Sequence, residues 1–207
     1  MATTDFGIET PDQKISRLLA SAGEMADRLG NKEISTGLKE LGGFIGGMYQ
    51  LPVAKCEELA TSTSAMLMLR SWELGDGRKE LLEGIHSDLL MIAITVLEHE
   101  VESKRKARPK TPFKEPPSEK MISIWAEEAD CHEQISKLAH KLRIANIEIE
   151  HTKRAADLWE NVAQIAIEAG FSEKAVRFYR RSSEQRVNHL VTLRLVDSGE
   201  YYNHRMR

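Results

Sequence analysis

The longest stretch of the chain without proline or glycine contains the segment from Met121 to Ala169, and this segment restricts the fold most. Apolar residues recur along it at alternating steps of three and four, interrupted only by Glu128 and Thr152. The apolar positions are Met121, Ile124, Cys131, Ile135, Leu138, Leu142, Ala145, Ile149, Ala156, Trp159, Ala163 and Ala166. A seam of this kind, kept over several heptads, predicts a helix that lies along partner helices.

A second stripe accompanies the later half of this segment. It consists of Ile144, Ile147, His151, Leu158, Val162, Ile165 and Ala169. A helix with two such stripes needs cover on two sides, so we expect it to be a central element of the fold.

The length of the segment limits how it can be arranged. As one helix it would be ~73 Å long, whereas a compact domain of this size is only ~45 Å across. It therefore either projects as a coiled-coil arm or breaks. An internal capping box at Asp130–Glu133 is the predicted break point.

The early half of the segment, Met121 to Leu142, needs cover from the N-terminal helices or from another chain. We therefore predict that a partner binds the seam residues of this half. They are Ile124, Glu128, Cys131, Ile135, Leu138 and Leu142.

The residues before this segment carry the start and stop signals of about four helices. Thr10–Gln13 combines a capping threonine, a proline suited to the first helical position and a glutamine that completes a capping box. Gly30, Pro52 and Gly75 interrupt the apolar pattern between helices. Because short turns favour antiparallel neighbours, residues 1–102 are predicted to form an antiparallel helical bundle.

Residues 103–118 differ from their surroundings in composition. They hold four of the six prolines and six basic residues with one acidic residue. Proline stops helices and favours extended chain, so we expect a basic Pro-rich connector here. Residues 119–207 are then predicted to form a long antiparallel, coiled-coil-like hairpin of two helices packed on the bundle, and the fold class is all-α.

Composition narrows the class of protein. With 41% apolar and 29% charged residues among 207, the chain is typical of a folded soluble protein. The N-terminus lacks the basic and apolar regions of a signal peptide, and the longest apolar run, Leu89 to Leu97, is too short to cross a bilayer. The two cysteines lie far apart in the sequence, which suits a reducing compartment, so we expect a cytoplasmic location.

A motif of large, small and aromatic residues spans about 156–187. Its members are Trp159, Val162, Ala163, Gly170, Ala175, Tyr179 and Ser182. This stretch resembles a single helical hairpin of the tetratricopeptide family, although Ala166, Ser172 and Val187 depart from the family's pattern. The resemblance implies two antiparallel helices with small residues at their crossing, and hairpins of this family bind proteins. Because no further copy follows, a solenoid of repeats is not expected.

Basic residues gather on the connector and on the last helix. They are Lys104, Arg105, Lys106, Arg177, Arg180, Arg181 and Arg186. Arg177 and Arg181 share a helix face, where like charges repel and gain from an anionic partner. A small helical RNA- or DNA-binding subunit is therefore one alternative function. The competing interpretation is a solvated basic face offset by the acidic central helix.

Glu148 and His151 have the Glu-x-x-His spacing of ferritin-like di-metal bundles. Such sites need a second motif and two further glutamates, for which the sequence offers only loose candidates. A ferritin-like metal-binding bundle is thus a second alternative function. No metal ligand set, cofactor, catalytic residue or small-molecule substrate is predicted.

The sequence favours a non-enzymatic helical scaffold or adaptor subunit that acts by protein–protein interaction within a larger assembly. The expected partner is another protein or a second copy of the chain. Nucleic acid is the alternative partner, and no membrane is expected.

Overall fold

The structure is a computed structural model that describes residues 9–44, 52–70, 75–108 and 117–203. Within these residues it contains eight α-helices and no strand, which confirms the all-α prediction for this part of the chain. The helices are α1 (Pro11–Leu29), α2 (Lys32–Gly43), α3 (Val53–Arg70), α4 (Asp76–Ala107), α5 (Glu119–Leu142), α6 (Ala145–Glu168), α7 (Ser172–Asp197) and α8 (Glu200–Asn203). None of them combines the length and the apolar composition that crossing a bilayer requires.

Two compact units divide the chain, residues 1–96 and residues 97–207, with the boundary inside α4. The first unit begins at the predicted capping box, in which Thr10 and Gln13 each accept the other's backbone N–H. Gly30 ends α1 in the left-handed conformation, with φ of 71°. These local signals were correctly predicted because they depend only on neighbouring residues.

Neighbouring helices of the first unit approach closely. A turn of two residues, Gly30 and Asn31, joins α1 to α2, and the two helices contact each other. α2 meets α3 where Gly37 lies against Leu59, and α1 meets α4 where Gly84 lies against Met25. His86 of α4 is held 2.8 Å from a backbone carbonyl oxygen of α3. These contacts join the four helices of the first unit to one another.

The beginning of the predicted connector is helical, because α4 continues to Ala107. Its basic side chains lie one turn from glutamates: Lys104 contacts Glu100, and Lys106 contacts Glu102. Pairs at this spacing stabilise a helix, with the glutamate N-terminal to the lysine. Residues 103–107 thus belong to α4, and most of the remaining predicted connector, residues 109–116, lies outside the described residues.

The long Met121–Ala169 segment breaks at Arg143 and not at Asp130–Glu133, so the predicted break point is wrong. Arg143 adopts the left-handed conformation, with φ of 57°, and its N–H donates to carbonyl oxygens at the end of α5. Ile144 N–H donates to the Ala139 carbonyl oxygen at 2.9 Å and completes the cap. The predicted two-helix hairpin is consequently an arrangement of three long helices.

Helix α6 lies between α5 and α7. Ser136 of α5 and Thr152 of α6 are hydrogen-bonded at 2.7 Å, and the Ser182 hydroxyl of α7 donates to the Ala156 carbonyl oxygen at 2.9 Å. The apolar core of these helices is formed by Ile122, Trp125, Ala129, Ala155, Leu158, Trp159, Val162, Ile165, Ala166 and Ala175. The prediction that the two-stripe helix is central is confirmed, since both of its stripes are covered.

Gly37 provides a test of the packing in the first unit. A Cβ atom at this position would lie 2.6 Å from Leu59 Cδ2, and Leu59 is itself buried. Gly37→Ala improves helix propensity but overpacks the contact, so we expect a net loss of ~1–2 kcal/mol in the free energy of unfolding. Gly42→Ala is the matched control: nothing lies within 4 Å of its Cβ position, so it should stabilise the protein by ~0.5–1 kcal/mol. Urea denaturation measures both, and equal stability of the two variants would contradict the close approach.

Candidate functional site

Four of the residues predicted to bind a partner are buried by the chain itself: Glu128, Cys131, Ile135 and Leu138. The other two, Ile124 and Leu142, are partly buried. In the single chain this seam is therefore part of the core of the second unit. The accessible apolar surface lies elsewhere.

Glu128, which interrupts the predicted seam, is held by an arginine and a tryptophan. The Arg108 guanidinium lies 3.4 Å from the Glu128 carboxylate and 4.4 Å from the centre of the Trp125 ring. Burial raises the pKa of Glu128, and the nearby guanidinium opposes that rise. This carboxylate therefore serves a structural ion pair that ties the end of α4 to α5.

A pair of buried histidines joins α5 to α6. The Nδ1 atoms of His132 and His151 lie 2.9 Å apart. Burial lowers the pKa of His132 to about 3, with a further contribution from the charge that His151 would carry. Burial also lowers the pKa of His151 to about 4. Both rings are therefore neutral near pH 7, which lets one Nδ1–H donate to the other Nδ1.

The two histidines line a cavity of about 430 Å³ beside the last turns of α4. Its other lining residues are Glu98, Val101, Glu102, Arg105, Glu128, Ile147, Glu150, Arg154, Asp157, Leu158 and Asn161. Arg105 pairs with Glu102 at 2.7 Å, and Arg154 pairs with Glu150 at 2.7 Å. Charges on the cavity wall are therefore largely compensated by their neighbours.

Glu148 and His151 point to different contacts although their spacing fits a metal motif. The Glu148 carboxylate accepts hydrogen bonds from Tyr201 and from Thr192, the latter at 2.6 Å, and lies 3.1 Å from Nδ1 of His140. Burial and the hydrogen bond to Glu148 raise the pKa of Tyr201. Among the residues described, no group of three or more His, Cys, Asp or Glu side chains is arranged to hold a metal ion.

Arg181, predicted to bind anions, is folded into the second unit. Its guanidinium lies 3.9 Å from the centre of the Trp159 ring. It also donates to the carboxylates of Asp130 and of Glu133, the latter at 2.8 Å. Such an arrangement combines a cation–π contact with charge-assisted hydrogen bonds, and it fixes α7 against α5 and α6.

Most of the other residues predicted to bind anions are also paired with carboxylates. The pairs are Lys104 with Glu127, Arg105 and Lys106 with Glu102, Arg180 with Glu184, and Arg186 with Glu160. Arg177 is exposed and forms no ion pair with another described residue. These pairs leave little uncompensated positive charge on this part of the chain.

Large apolar side chains are exposed along the outer face of α7. They are Val176 (69% exposed), Tyr179 (37%), Val187 (59%), Leu190 (64%) and Val191 (50%), which together we call the α7 face. Among the described residues, α5 exposes no large apolar side chain in this way, and α6 exposes only Ile167. Sequence reasoning missed the α7 face because it considered the arginines and the motif residues of this helix, but not the spacing of its valines and Leu190.

No protein-family model, curated protein or solved structure matches the chain. α6 and α7 nevertheless form an antiparallel hairpin with Gly170 at the turn, where φ is 81°. Phe178 stacks on Trp159 with ring centroids 5.5 Å apart. The aromatic stack therefore lies between the two antiparallel helices of this hairpin.

The buried histidine pair generates a pH prediction. Because the pKa values of His132 and His151 are lowered on folding, stability is complete above the ordinary histidine pKa of ~6.5 and falls as the pH drops towards ~4. We expect a loss of ~2 kcal/mol for each histidine by about pH 5, measured by urea denaturation between pH 7.5 and pH 5. His132→Gln should roughly halve the loss in the free energy of unfolding between pH 7.5 and pH 5. An unchanged slope in this variant would show that the pair does not titrate in this way.

The hydroxyl groups at Glu148 generate a second prediction. Thr192→Val keeps the shape of the side chain but removes a donor to a buried carboxylate, so we expect a loss of ~1.5–3 kcal/mol in the free energy of unfolding. Thr61→Val is the matched control, since Thr61 is exposed and its hydroxyl bonds only a carbonyl oxygen of its own helix. Chemical denaturation should place the control within ~0.5 kcal/mol of the unmodified protein. Equal effects of the two substitutions would refute the role given to Glu148.

Proposed function

We propose that the protein is a non-enzymatic helical scaffold or adaptor subunit whose C-terminal unit binds a partner helix on the α7 face. One observation carries the proposal: α7, which covers α6 from one side, presents an apolar stripe to solvent on its other side. Val176, Val187 and Leu190 are each more than half exposed. The side of α7 that the chain buries consists of Ala175, Ser182, Gln185 and Thr192, so the large apolar side chains of the α7 face lie on the uncovered side of the helix.

Burial of the exposed side chains of the α7 face by a partner would be favourable. Burying a valine or leucine side chain removes apolar area worth ~25 cal/mol per Å² from water. Contiguous exposed apolar residues rimmed by polar ones mark interaction surfaces, whereas scattered single residues do not. The members of the α7 face recur at helical spacing, and Glu173, Glu184 and Arg194 are exposed along the same helix.

Two other observations support binding over catalysis or nucleic-acid recognition. The polar groups beside the cavity are engaged with each other, as His132 is with His151 and Arg154 with Glu150. Most of the basic residues predicted to bind an anion are paired within the chain, so counterion release on phosphate binding would first require breaking these pairs. The α7 face therefore gives protein binding the stronger support.

A paired binding experiment tests the proposal. Val187→Glu places a charge on the α7 face without touching the core, while Met68→Glu places the same charge at an apolar position of α3 that is 78% exposed. Proteins retained from the native host by the immobilised chain, its own untagged copies included, should be lost with Val187→Glu and kept with Met68→Glu. Identical retention by both variants would contradict the proposal, as would retention of nothing by the unmodified chain.

A further inference from the structure

The α7 face has an acidic residue at its start and a basic residue at its end. Glu173 lies at the start of the face and Arg194 at its end, about 32 Å apart at the rise of an α-helix. Both side chains are exposed, and neither forms an ion pair with another described residue. An acidic residue at one end and a basic residue at the other are complementary to the same helix turned end for end.

We infer that the partner of the α7 face is the α7 face of a second copy of this chain, packed antiparallel about a two-fold axis between Ser183 and Glu184. The inference rests on the proposed function and names its partner. A two-fold interface uses the same surface of both copies, so a surface that is complementary to itself is what it requires.

Positions equidistant from this axis support the assignment. Antiparallel pairing places Glu173 opposite Arg194 of the second copy, and Val176 opposite Val191. It also places Arg180 opposite Val187 of the second copy. The aliphatic stem of an arginine can cover a valine while its guanidinium stays at the rim.

Charge also decides the direction of the pairing. In a parallel pair, Arg177, Arg180 and Arg194 would each face the same residue of the second copy. Like charges placed opposite each other across an interface are unfavourable. In the antiparallel pair, the guanidinium of Arg180 comes within about one helical turn of Glu184 of the second copy, which can share the ion pair that the two residues form at 3.0 Å within one chain.

Sedimentation velocity of the full chain over a range of concentrations tests the inference. A single helix pair is a small interface, so we expect a monomer–dimer equilibrium with a Kd of roughly 1–100 µM. Val187→Lys places a second positive charge opposite Arg180 of the second copy, so it should raise the Kd at least tenfold, and Met68→Lys should leave it unchanged. Circular dichroism verifies that both variants remain folded.

Charge reversal tests the pairing of the two ends. Glu173→Arg alone places two positive charges opposite each other, because Arg194 of the second copy is unchanged. Arg194→Glu alone places two glutamates opposite each other. Each single change should therefore weaken the dimer severalfold. The double change Glu173→Arg/Arg194→Glu restores opposite charges and should restore the Kd. Failure of the double variant to recover would overturn this register.

Disulfide cross-linking tests the direction of the helices. Ser183→Cys lies beside the two-fold axis and should form a cross-linked dimer on mild oxidation. Glu173→Cys should not, because the two copies of this residue are about 30 Å apart in the antiparallel pair. The native Cys56 and Cys131 are buried and do not compete. Cross-linking through Glu173→Cys would overturn the antiparallel arrangement.

The outcomes separate this inference from the proposed function. A chain that stays monomeric at all concentrations, yet loses a different bound protein on Val187→Glu, would overturn the second copy as partner and keep the α7 face as the binding surface. A monomer that binds nothing would overturn both.

Discussion

The second unit depends on burying both sides of α6. Trp159 is 1% exposed and Val162 is fully buried, although they serve different stripes of the same helix. One neighbour cannot cover both stripes, so α5 and α7 must both pack along α6. The left-handed Arg143 makes the turn between α5 and α6 possible, and Gly170 the turn between α6 and α7. The three-helix arrangement is a consequence of this requirement.

Polar contacts then fix how the three helices are aligned. The His132–His151 hydrogen bond joins α5 to α6. The Glu148 carboxylate of α6 accepts hydrogen bonds from hydroxyl groups of α7 and α8. The Arg181 guanidinium of α7 lies over the Trp159 ring of α6 and donates to a carboxylate of α5. Each contact buries a polar group together with its hydrogen-bond partner. Another alignment of the helices would leave that group buried without a hydrogen bond and would lower the stability of the fold. Residues whose types suggest chemistry, histidines and carboxylates among them, serve the fold in this unit.

Local patterns were predictable and tertiary pairings were not. The capping box at Thr10, the turn at Gly30 and the two stripes of α6 depend on nearby residues or on helical period. The break at Arg143 has no compositional signal, because neither glycine nor proline marks it. The pairing of Arg181 with carboxylates of α5 depends on folding, so charge counting overestimated the free basic surface. The α7 face could have been found from the spacing of Val176, Val187, Leu190 and Val191.

Covering α6 with α7 leaves the apolar outer face of α7 exposed, and we propose that the α7 face of a second copy covers it. Methyl NMR spectra of the full chain, recorded during dilution, observe that face directly. If a second copy binds there, we expect concentration-dependent shifts of the Val176, Val187, Leu190 and Val191 methyl groups, with the buried Val162 unchanged. Shifts that do not change on dilution, or that arise at residues remote from α7, would contradict it.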